Sequence, residues 1–108
     1  MWEAVASITQ KHRVEVKIVL IDYEPEGWSS WFILPSVGYG EVENYGPFRF
    51  KDLKELVVNP VESRRIGARV PNELIDHSES LVREFTKCGV PFERRGNVIV
   101  IQNIVPTT

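Results

Sequence analysis

The segment PNELIDHSESLVREFTKCGVPFERRGNVIVIQNIV, residues 71–105, constrains this chain more than any other part of it. Leu74, Ile75, Ser78, Leu81, Val82, Phe85 and Cys88 recur at intervals of three and four, the spacing of a helix with one apolar stripe. Pro71 suits a first helical turn, where a missing N–H costs nothing, and Gly89 suits the left-handed position just past the end. The spacing therefore predicts a helix over 71–88. VPFE (90–93) and NVIVIQNIV (97–105), joined by RRGN, then read as a β-hairpin. A helix that must cover a sheet built partly from the chain following it leads to an α+β domain.

The remaining residues extend that picture. Trp2, Val5, Ala6 and Thr9 share one face of a helix over 2–11. RVEVKIVLID (13–22) alternates with period two, as a strand does. YEPEG (23–27) reads as a hairpin turn, and residues 28–34 as its return strand. In that strand Trp31 is expected in the core and Trp28 partly exposed at the strand end. A loop with a short strand near 41–45 is expected next, then a strand over 54–58 ending at Asn59-Pro60 and a basic loop over 59–70. The expected architecture is a single α+β domain over residues 1–108. It is a two-layer sandwich, a mostly antiparallel sheet of about five strands with two helices on one face.

LVREFTKCGVPFERRGNVIVI (81–101) is similar to the helix–turn–hairpin of small α+β domains such as the ring-building domains of secretion and flagellar basal bodies. There a helix ends at a Gly-hydrophobic-Pro and an alternating strand follows. The resemblance covers about a fifth of the chain; it implies the fold and transfers no function.

Composition narrows the function classes. A net charge of −2 argues against a strongly basic nucleic-acid binder. Cys88 is the only cysteine, which excludes an intramolecular disulfide and suits a reducing, cytoplasmic setting. The N-terminal residues lack the apolar run of a signal peptide, and no stretch is apolar enough to span a membrane.

No catalytic set converges. Asp76, His77 and Ser78 carry the letters of a nucleophilic triad, but neighbours on a helix point about 100° apart and form no relay. His77 reads as a boundary residue of the stripe, and Ser78 as a small residue permitting close packing. His12 and His77, the only histidines, have no ligand neighbour at a metal-binding spacing. Asp22, Glu24 and Glu26 read as a solvated turn before they read as a cation site. Cys88 is expected as a small buried hydrophobe. Neither a cofactor nor a metal site is expected.

Charge is more informative. Residues 1–48 carry three basic and seven acidic residues, whereas residues 49–108 carry ten and eight. Arg64, Arg65 and Arg69 share a loop, and Arg94 and Arg95 occupy a hairpin tip. On one end of the sheet these five would make an anion-binding patch; otherwise they pair with Glu62 and Glu93. Tyrosine, tryptophan and arginine are also the residues enriched at interface hot spots. The leading expectation is a small non-enzymatic protein-interaction module, an adaptor, inhibitor or accessory factor of bacterial or phage type. Its contacts would be Trp28, Tyr39 and Tyr45. The alternative is nucleic-acid binding through the five arginines. Self-association is a further expectation if the last strand, Val98–Val105, lies at a sheet edge.

Overall fold

The computed structural model describes residues 1–103 as two helices, nine strands and a 3-10 turn, an α+β fold with antiparallel strand pairing throughout. Helix α1 spans Trp2–His12 and buries Val5, Ala6, Ile8 and Thr9. Thr9 keeps its hydroxyl satisfied inside the protein by donating to the Val5 carbonyl at 2.9 Å. Glu3 in the first turn and Lys11 and His12 in the last complement the helix dipole.

Strand β1 (Val16–Leu20) alternates buried and half-buried residues, as its sequence demands. Its partner is not the segment that follows. The YEPEG turn makes no strand hairpin, and a single bridge between Val16 and Ser29 ties the returning chain to β1. Instead β1 pairs with β5 (Leu53–Val58), which pairs with β9 (Val98–Gln102), which pairs with β8 (Glu93–Arg95). The register stacks Ile18 on Leu56 on Ile101, and Val16 on Val58 on Ile99, so β1, β5 and β9 present two apolar rows on one face of the sheet. Both helices contribute to that core: Val5 and Ile8 of α1 lie in one cluster with Leu81 and Phe85 of α2 (Ser78–Lys87).

Strands β2 (Phe32–Ser36), β3 (Tyr39–Val42) and β4 (Gly46–Arg49) form a separate three-stranded meander. Its inner face inserts Phe32, Val42 and Phe48 into the common core. Gly40 is what lets Phe48 lie there, since a Cβ at residue 40 would sit 2.5 Å from the Phe48 ring. The core position expected for Trp31 is taken by its neighbour. Phe32 is the core residue, at 0% exposure, while Trp31 is half-buried and does not pack on the core cluster. Strand alternation gave two apolar faces, and α1 chose between them by packing Trp2 edge-on against Phe32.

The first part of the helix expected over 71–88 is a strand. Residues Glu73–Asp76 form β7, which pairs with β6 (Val61–Arg64), so the basic loop is shortened to 65–72 and Pro71 opens no helix. Asp76 accepts the backbone N–H and the hydroxyl of Ser78, a local turn that starts α2 only at Ser78. Leu74, placed on the buried stripe by spacing, is 69% exposed. The helix ends as expected, at Gly89 with φ +70°. Cys88 is exposed rather than buried, because as the C-cap it has left helical geometry (φ −86°, ψ 2°) and turns off the stripe. The final hairpin closes through Gly96 at φ +60°. Strand β9 lies between β5 and β8, and β8 pairs with Val98–Val100, so the last strand is no sheet edge along those three residues; Ile104 and Val105 lie outside the described residues. No helix among the described residues is long and apolar enough to cross a membrane.

Candidate functional site

Strands β6 and β7 pair with each other alone and make a two-stranded arm. Its tip, RRIGARVP (64–71), exposes Ile66 at 57% and Val70 at 54%, with Leu74 on the flank. Apolar side chains so exposed usually serve a contact when they cluster. Here they alternate with arginines.

The five arginines do not act alike. Arg64 turns back to Glu62 at 3.4 Å. Arg95 bridges Glu55 at 3.2 Å and Glu93 at 3.4 Å, and these two carboxylates, Glu93 first, raise its pKa further. Arg94 lies close enough to Asp76 to assist, behind the Ser78 hydroxyl and amide, in holding that carboxyl below its ordinary value. Arg65 and Arg69 have no salt-bridge partner among the described residues. The cationic feature is thus the arm tip, flanked by apolar residues, more than a five-arginine face.

The aromatic candidates separate into two places. Trp28 is half-buried and sits with exposed Tyr45, since the Trp28 carbonyl accepts a hydrogen bond from Asn44 and the Tyr23 and Tyr45 rings lie 6.2 Å apart. Tyr39, 42% exposed, is at the opposite end of the meander, beside the β2–β3 turn. There it borders an open groove lined by Trp2, Leu34, Val37 and Phe50. The three residues do not form one surface.

A cluster absent from the sequence reading joins the arm to the helices. His12 at the end of α1 and His77 before α2 bring their rings to 5.0 Å. Each meets a carboxylate: His12 Nε2 contacts Glu84, and His77 Nε2 lies 2.9 Å from Glu62 at the base of the arm. Lys11 reaches the other oxygen of Glu84 at 2.7 Å. Glu62 is buried at 6% exposure, yet the His77 hydrogen bond, with help from Arg64, overrides the cost of burial and holds its pKa below the ordinary value. Lys11 first, then His12, does the same for Glu84. Sixty-five positions separate the two histidines, so no local motif could signal their meeting. Among the described residues no three metal-ligating side chains converge.

This cluster has a pH consequence. A carboxylate whose folded pKa is lowered contributes stability that is fully present above its unfolded value, near 4.5 for Glu62, and is lost as pH falls through the lower folded value. Acid unfolding followed by circular dichroism should therefore be steeper in the native chain than in Glu62→Gln, which has no such charge to lose. Parallel acid transitions would show that the pairing at the arm base contributes nothing.

Comparisons with models of known families, with curated proteins and with solved structures find no match.

Proposed function

We propose that this protein is a small non-enzymatic interaction module whose β6–β7 arm engages an apolar protein surface bearing acidic side chains. One observation carries the reading: the arm tip exposes Ile66 and Val70, each next in sequence to an arginine, Arg65 and Arg69, and neither arginine has a salt-bridge partner among the described residues. Interfaces combine a desolvated apolar centre with arginine contacts, and this tip offers both on a short loop. The separation of Tyr39 from Trp28 and Tyr45 also favours the arm over the aromatic trio as the principal contact. Nucleic-acid binding is less well supported, because Arg64 and Arg95 are paired with carboxylates on the chain itself.

A photo-reactive phenylalanine analogue placed at Val70, with Lys54 on the central sheet as control position, tests the reading in the cells that make the protein. A discrete protein adduct from position 70 alone is expected. Adducts equal at both positions, or none, would remove the arm from the argument. An oligonucleotide titration at low salt completes the test: tight binding that falls with a log–log salt slope of about −3 to −5 would move the protein to the nucleic-acid class.

A further inference from the structure

The meander β2–β3–β4 has an inner face in the core and an outer face that is largely exposed. On the outer face Ile33, Glu41 and Pro47 stand in one row across the three strands. Ile33 is 38% exposed and Pro47 is exposed. Strand alternation places Tyr39 on this side with Glu41, opposite the buried Gly40 and Val42. Glu41 has no salt-bridge partner among the described residues. Arg49, on the same face opposite Tyr39, is held by Asp52 at 2.8 Å. A carboxylate without a salt-bridge partner between two apolar side chains is the converse of the arm tip, where two guanidinium groups without partners each adjoin an exposed apolar side chain. The acidic first part of the chain thus carries one surface, and the arginine-bearing second part carries its complement.

We propose that the partner of the arm is a second copy of this chain, with the arm tip of one protomer seated on the outer face of the other's meander. The proposal rests on the reading of the arm as a protein-binding element. Ile66 and Val70 would pack on Ile33, Tyr39 and Pro47, while Arg65 or Arg69 pairs with Glu41. The contact joins two different surfaces, so it is heterologous, and it closes as a dimer only if both arms exchange reciprocally. It does not use a sheet edge, and so differs from the strand-edge pairing expected through Val98–Val105, along which β8 already pairs with Val98–Val100.

The two-surface geometry permits a decisive test by sedimentation velocity over about 1 to 200 µM. The native chain should associate with rising concentration. Glu41→Arg and the double variant Arg65→Glu/Arg69→Glu should each weaken association about tenfold or more, since like charges then face each other at the contact. An equimolar mixture of the two variants should recover a dimer, because the first retains a good arm and the second a good face. Circular dichroism establishes that each variant is folded. A native chain that stays monomeric over the whole range overturns the proposal, as do variants that associate like the native chain or a mixture that recovers nothing. A monomeric chain that nonetheless cross-links from position 70 to a different protein would sink the self-partner and leave the arm reading standing. A monomeric chain with no adduct would sink both.

Discussion

Replacing Phe85 with alanine is expected to destabilise the protein by ~3–5 kcal/mol, the range for removing a buried aromatic side chain. Phe85 is wholly buried, shares the core with Leu81 and both apolar strand rows, and lies tilted against Phe92 at 6.1 Å between ring centres. Its neighbours come from two helices and the four-stranded sheet, so the cavity would have little freedom to collapse. The matching change at Leu74 should cost no more than ~0.5 kcal/mol, as for an exposed surface position. Urea denaturation monitored by tryptophan fluorescence measures both. Equal losses at 74 and 85 would mean that the helix does extend back to Pro71 and that β7 is wrong.

The second large effect lies in the WFIL run, Trp31–Leu34. Phe32→Ala should also cost ~3–5 kcal/mol, because Phe32 is fully buried and meets Trp2, Phe48 and Phe50 with ring centres 6.2 to 6.5 Å away. Trp31→Ala should cost much less, about 1 kcal/mol or below, despite the larger side chain, since Trp31 lies on the other side of the strand from that cluster. Thermal unfolding of the pair decides it. A greater loss at Trp31 would invert the meander and turn the row of Ile33, Glu41 and Pro47 toward the core, removing the proposed docking face as well.

The two predictions bear on function through stability. The arm is anchored at its base by Glu62 and His77, and His77 leads directly into the helix that carries Phe85. Loss of the Phe85 contacts would therefore loosen the platform from which the arm extends. Substitutions at the arm tip, at Arg65 or Val70, touch no core residue and should separate binding from folding.

The elements legible in the amino-acid order are those whose signals are local. The stripe of α1, the Val-Val end of β5, the stretch from Leu81 to Gly89 and the hairpin through Gly96 each depend on spacing, capping or turn chemistry within a few residues. The α+β class followed from them. Tertiary structure decided everything that compares two equally apolar choices. Leu74 and Ile75 satisfy a helical stripe and a strand equally well, and pairing with Glu62 and Ser63 on β6 settled them as β7. Val16–Leu20 had two strands to choose from and took Leu53–Val58, far along the chain, because that register buries Ile18, Leu56 and Ile101 in one row. Between Trp31 and Phe32 the decision lay with Trp2, thirty positions away. The encounter of His12 and His77 with Glu84 and Glu62, and the uncovered face around Glu41, arise in the same way. They are products of long-range packing, and pairwise burial between distant segments leaves no periodic trace in either one.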